Sequence, residues 1–223
     1  MSDRAALQAL QRLLSLSDTT QPSFGWKVAL NVRAVQQRLG LTHSLAAPLS
    51  GTRYAHGSRA RFAQDSQIHV EAELGLTLAC DIREPLPLEE LRAAVASYRP
   101  CLELVDYALP RGDLAAMFGH AFFHAGVVLG EPLAPAALAS FRPPLPRLTS
   151  TQGGMCERVV GTVPDDVVLA LQGVVERVLE AGGWLTSGQL VLCGSYVDPL
   201  PLPPGATVSA DYGSASLVLS REA

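Results

Sequence analysis

Three carboxylates stand in two short apolar runs. In Ile68-His69-Val70-Glu71-Ala72-Glu73-Leu74-Gly75-Leu76-Thr77-Leu78 the alternation is that of a half-buried strand, so Glu71 and Glu73 share one face about 7 Å apart at their Cα atoms, with Ile68, Val70, Ala72 and Leu74 opposite. Two such acids repel, and in a partly buried place they stay ionised only beside solvent or a cation. The run Pro100-Cys101-Leu102-Glu103-Leu104-Val105-Asp106 is a second strand and offers Glu103 as a third oxygen donor. Three carboxylates make an all-oxygen site, which suits a hard cation, Mg²⁺ or Mn²⁺, better than zinc. A Glu-x-Glu pair is more often a solvated outer face, so the residues alone leave both readings open.

The elements that must position these acids follow from the rest of the chain. Residues 3–16 place Leu7, Leu10, Leu13 and Leu14 at helical spacing, and Ser17 to Ser23 is a polar linker. Gly25 to Leu30 reads as a strand carrying Lys27, Ala34 to Leu39 as a helix capped by Gly40, and Thr42 to Gln67 as a long loop with at most one short strand. Leu88 to Tyr98 is expected to be a helix. Gly119 to Gly130, with His120, Phe122, Phe123 and His124, is expected to be strand-like, and Glu131 to Pro146 irregular. Arg147 to Gly161 should form a hairpin about Gly153-Gly154, and Pro164 to Ala181 a helix. Gln189 to Cys193, Ala206 to Tyr212 and Ser214 to Ser220 complete the strands. Asp106, out of phase with Glu103, is expected to close a turn.

These runs resemble the fumarylacetoacetase-like superfamily, in its 2-keto-4-pentenoate hydratase and 4-oxalocrotonate decarboxylase branch. The likeness rests on V-E-A-E-L at Val70, L-E-L-V-D at Leu102, G-W-K-V-A-L-N at Gly25, A-V-Q-Q-R-L-G at Ala34 and S-G-Q-L-V-L-C-G-S at Ser187, in that order. It implies an α+β fold, a rolled mixed and largely antiparallel β-sheet with flanking helices and the metal at one open end, over residues 24–223, with 1–23 as N-terminal helix and linker. It further implies that Glu71, Glu73 and Glu103 hold Mg²⁺ or Mn²⁺, that Lys27 lies in the active site, that Gly194 and Ser195 line the substrate pocket, and that the protein is a homo-oligomer. The chain departs from the branch in two places. The aspartate expected near Thr52 is absent from 42–63, and Phe122 to His124 replace a small polar pattern. His124 is then either a structurally satisfied imidazole, the commoner case, or a substitute acid or base.

The implied activity is hydration of 2-hydroxypenta-2,4-dienoate by a metal-dependent lyase in aromatic catabolism. Decarboxylation of 4-oxalocrotonate or another 2-oxo-acid reaction, and a non-catalytic paralogue serving as a subunit, are the alternatives. Composition agrees with a small-molecule partner: 223 residues, 48% apolar and 17% charged, support a large core, and a net charge of -4 without a basic run excludes a nucleic-acid groove or an anionic membrane as the main partner. Four dispersed cysteines read as reduced core residues, and no signal peptide or membrane span is evident, so a cytoplasmic enzyme is expected. No G-x-S-x-G, Walker, dinucleotide or H-E-x-x-H motif occurs.

Overall fold

The computed structural model describes residues 3–17, 23–109, 114–135, 146–156, 167–195, 197–213 and 215–223. Helix α1 (Asp3–Ser17) leads to β1 (Gly25–Ala29), α2 (Arg33–Leu39), β2 (Leu45–Leu49), β3 (Thr52–Ala55), β4 (Arg59–Ala60) and β5 (Ile68–Leu78). Then come α3 (Leu88–Ala93), β6 (Val95–Asp106), α4 (Leu114–Gly119), a 3₁₀ turn (Ala121–Phe123) and β7 (His124–Leu129). The chain closes with β8 (Arg147–Ser150), β9 (Met155–Cys156), α5 (Val167–Glu180), β10 (Leu190–Leu192), β11 (Leu200–Pro201), β12 (Thr207–Asp211) and β13 (Ser216–Arg221).

Alternation in β5 and β6 makes the long antiparallel pair at the centre of an eight-stranded mixed sheet, ordered β2-β1-β10-β5-β6-β7-β3 with β11 also on β5. A second sheet, β4-β13-β12-β8-β9, takes the C-terminal hairpin, which was expected to complete the sheet of the acid strands. Within the first sheet β1 runs parallel to β10 and β3 parallel to β7. The fit of β1 on β10 needs Gly25, since a Cβ there would fall 1.9 Å from the Leu190 carbonyl oxygen. Pro48 is tolerated because β2 is an edge strand.

The apolar stripe of α5 buries Val168, Leu171, Val174, Val175 and Val178, each contributing roughly 1.5–3 kcal/mol of transfer free energy. Val70, Ala72, Leu74 and Leu76 of β5 enter the same cluster, as do Ala6 and Leu10 of α1. Asp3 anchors α1 by accepting bonds from the Thr42 hydroxyl and amide.

Three expectations are corrected. The expected loop 42–67 carries β2, β3 and β4, because Leu45, Ala46, Ala47 and Leu49 are buried against β1 and its neighbours. The helix from Leu88 stops at Ala93, and Val95 to Tyr98 extend β6 by pairing with Leu76 to Leu78 of β5. Ahead of β7 stands a tight turn rather than strand: Ala121, Phe122 and Phe123 all have positive φ, at 44°, 53° and 70°. Cys101 and Cys193 are buried as expected, whereas Cys80 is exposed. The hairpin about Gly153-Gly154 forms, and the expected helix runs as α5 from Val167. The stretch 136–145, the first residues of that helix and the linker 18–22 lie outside the described residues.

Candidate metal centre

The centre lies in a gap in the large sheet. β10 covers β5 as far as the pairing of Leu192 with Gly75, and β11 resumes at the pairing of Leu200 with Val70. After a last bond from the Cys193 amide to the Leu74 carbonyl, Gly194, Ser195 and residues 197–199 depart from the sheet, so among the described residues Glu71 and Glu73 have no strand on that side. The gap is a cavity of about 270 Å³. Lys27, Glu71, Glu73, Gly194, Ser195 and Asp198 supply its polar wall, and Leu30, Val35, Met117, Phe122, Phe123 and Val197 belong to its apolar wall. The positive-φ turn is what brings the two phenylalanines to that wall.

Register brings the third acid alongside. Glu71 pairs directly with Glu103 of β6, and carboxylate oxygens of Glu71, Glu73 and Glu103 all lie within 4.8 Å of one another. Each is held by a different donor. The Gly194 amide donates to Glu73 Oε2 at 2.9 Å, and the Tyr107 hydroxyl to Glu71 Oε1 at 3.3 Å. Glu103 Oε1 accepts from Lys27 Nζ and meets His124 Nδ1 at 2.8 Å, while Glu103 Oε2 is buried with no partner.

The electrostatics follow from this wiring. Burial raises the Glu71 carboxyl, and the Glu103 charge adds to that, taking it to about 7. Burial and the two neighbouring carboxylates push Glu73 well above its ordinary range. Burial would raise Glu103 too, but the Lys27 ammonium and the His124 hydrogen bond outweigh it and hold it at about 2. Burial works against the Lys27 charge, yet the three carboxylates raise its pKa, so it stays an ammonium.

The residues fit a divalent cation. With a cation to ionise them, the three carboxylates and one ammonium would sum to -2, the donor set is all oxygen, and Glu103 Oε2 is, among the described residues, a buried acceptor without a partner.

Five of the seven residues expected at the site, Lys27, Glu71, Glu73, Gly194 and Ser195, line the cavity, with Glu103 bonded to Lys27 behind them. Ser195 Oγ is turned into its own loop, donating to the Val197 carbonyl at 2.6 Å. His124 sits on the far side of Glu103, its side chain fully buried and its ring 6.5 Å from that of Phe24, and does not line the cavity. Thr52, where the branch places an aspartate, is an exposed residue of β3 away from the cavity. Asp106 closes a turn as expected, accepting from the Gln67 and Ala108 amides. Sequence reasoning passed over Asn31, Tyr107 and Asp198. Asn31 ends the G-W-K-V-A-L-N run and Tyr107 follows L-E-L-V-D, so both stood beside recognised motifs; only the fold brings Asp198 to the cavity.

No protein-family model and no curated protein sequence matches this chain. Solved structures do. 4-Oxalocrotonate decarboxylase from Pseudomonas putida G7, complexed with magnesium and adipate, superposes with a TM-score of 0.80 at 14% identity, over 98% of this chain and 85% of that one. Fumarylpyruvate hydrolase from Pseudomonas aeruginosa, in complex with Mn²⁺ and pyruvate, gives 0.62 at 16% identity over 93% of each chain. 5-Carboxymethyl-2-hydroxymuconate delta-isomerase from Mycobacterium smegmatis gives 0.61 at 16% identity, over 90% of this chain and 80% of that one. With the rolled mixed sheet and its flanking helices, these likenesses give the chain the fumarylacetoacetase-like fold.

Proposed function

We propose that the protein is a divalent-metal-dependent lyase of 2-oxo acids, hydrating 2-hydroxypenta-2,4-dienoate or a close analogue to a 4-hydroxy-2-oxo acid. The observation that carries this reading is the convergence of three carboxylates, with oxygens within 4.8 Å of one another beside Lys27, at the wall of a cavity whose remaining surface is largely apolar. Solved structures of the same fold hold magnesium, calcium or Mn²⁺, one of them with pyruvate. Mg²⁺ or Mn²⁺ bound at the trio would act as a Lewis acid on the carboxylate and keto oxygens of a chelating 2-oxo acid.

The chain's own groups do the rest. Glu103 is fixed by Lys27 and His124 through one oxygen, leaving the other for the cation. Gly194 and Tyr107 orient Glu73 and Glu71. Lys27, kept protonated, serves as a cationic donor to substrate oxygen and not as a base. Asp198, exposed in the cavity wall, takes the role of the aspartate absent from 42–63 and receives the proton of the incoming water. Phe122, Phe123 and Met117 exclude solvent from the carbon chain. In balance, water and the dienoate give the hydroxy-oxo acid: the hydroxyl adds at C4, and of the protons gained at C3 and C5 one comes from water and one from the C2 enol hydroxyl, which becomes the keto group.

Apolar walls favour a monoacid: among the described residues Lys27 is the one basic side chain in the cavity. The TM-score of 0.80 to 4-oxalocrotonate decarboxylase favours the second reading, decarboxylation of an oxo-enedioate. Incubating the Mg²⁺-loaded protein with each acid separates them: loss of dienoate absorbance with a C4 carbinol signal in NMR supports hydration, and CO₂ release from the dicarboxylate supports decarboxylation. Turnover of neither with metal bound would refute the enzyme reading and leave a non-catalytic paralogue.

A further inference from the structure

Asn31 presents a buried amide nitrogen with no hydrogen-bond partner among the described residues, in the wall of the same cavity. Leaving such a donor unsatisfied is costly, so a fold that keeps one gains elsewhere. Two further features hold it there. Leu30, just before it, has φ of 54°, a left-handed conformation costly for a γ-branched residue, and its carbonyl is pinned by Gln36 Nε2 at 2.7 Å. At Gly194, with φ of 99°, a Cβ would fall 2.3 Å from Asn31 Nδ2, so the amide lies against the backbone that anchors Glu73.

We propose that Asn31 is a substrate-binding and specificity-determining residue, its amide donating to an anionic oxygen of the acid on the Glu73 side of the centre. The inference rests on the metal and 2-oxo-acid reading above. An amide N–H selects an oxygen acceptor, and because Glu103 already engages one of the three N–H groups of Lys27, Asn31 adds to the donors that Lys27 keeps for substrate oxygen. Asn31 thus supplies the donor that the carboxylate trio lacks, and discriminates acids from neutral ketones of the same size.

Calorimetric titration of the metal-stripped protein with Mg²⁺, and then of the Mg²⁺-loaded protein with oxalate, tests it in wild type, Asn31→Leu and Asn31→Asp. The Leu variant should bind Mg²⁺ within about twofold of wild type and lose oxalate affinity roughly ten- to hundredfold, the loss expected for a hydrogen bond to a charged group. The Asp variant keeps the shape while replacing a donor by a charged acceptor, so it should lose at least as much and guards against misfolding of the Leu variant. Oxalate binding within twofold of wild type in a folded variant would overturn the assignment of Asn31 alone. Absence of Mg²⁺-dependent oxalate binding in wild type would overturn the underlying site reading, and the assignment with it.

Discussion

Replacing Glu71 by Gln should stabilise the metal-free protein while abolishing its response to metal. In the folded chain the Glu71 carboxyl is raised to about 7 from 4.5, by burial first and by the Glu103 charge second. Between those two values the folded state holds more protons than the unfolded one, so stability falls as pH rises through this window, and the full penalty is present above about 7. At about 1.4 kcal/mol per pH unit the penalty reaches about 3 kcal/mol. Glutamine carries no charge at any pH and still accepts from the Tyr107 hydroxyl, so the variant escapes the penalty. For a chain of this length that corresponds to a melting temperature higher by about 6–12 °C at pH 8. The assay is calorimetric unfolding in chelator at pH 5 and pH 8, repeated with excess Mg²⁺. Wild type should melt lower at pH 8 than at pH 5 without metal and regain the difference with Mg²⁺; the variant should show a smaller pH change, the part that Glu73 retains, and no gain with Mg²⁺. A metal-free variant melting at or below wild type at pH 8 would refute the view that the acids are a strained cluster awaiting a cation.

Lys27→Met should cost about 3–5 kcal/mol in urea unfolding, because it strands the buried Glu103 charge, and adding Glu103→Gln should return most of that loss. Gly194→Ala should destabilise by about 1–3 kcal/mol through its 99° φ and the clash with Asn31, and should weaken Mg²⁺ binding by displacing the amide that holds Glu73. Mg²⁺ affinity should fall by at least about tenfold per pH unit below about 7 as Glu71 takes up its proton, with Glu73 steepening the slope, measured by titration at pH 8, 7 and 6; a flat profile would contradict the ligand assignment.

The acids were legible because strand alternation fixes faces: Glu71 and Glu73 share one, and the pairing of Glu71 with Glu103 needs only two apolar strands in antiparallel register. Lys27 stood out as a charge in an apolar strand. What was not legible was set by distant partners. Val95 to Tyr98 continue a good helical pattern, yet β5 offers them a ladder and the helix yields. Leu45 to Leu49 look like loop until β1 is placed beside them. The turn at Ala121 to Phe123 uses three non-glycine residues at positive φ, where turn chemistry predicts glycine or asparagine, so nothing local announces it. His124 offered two readings, a structurally satisfied imidazole or a substitute acid or base, and only the sheet shows that Glu103 stands between it and the cavity.

The way the gap is stitched bears on the order of folding. The three acids meet through one ladder between Ile68 and Asp106, a pairing of modest sequence separation that can form early. Their compensation comes from far away: Lys27 reaches Glu103 across 76 residues, and Gly194 reaches Glu73 across 121. A nascent β5–β6 pair therefore carries like charges with nothing to offset them until both distant segments have docked. Divalent cations in the refolding buffer should accelerate that late docking, making the metal an assembly factor as well as an occupant.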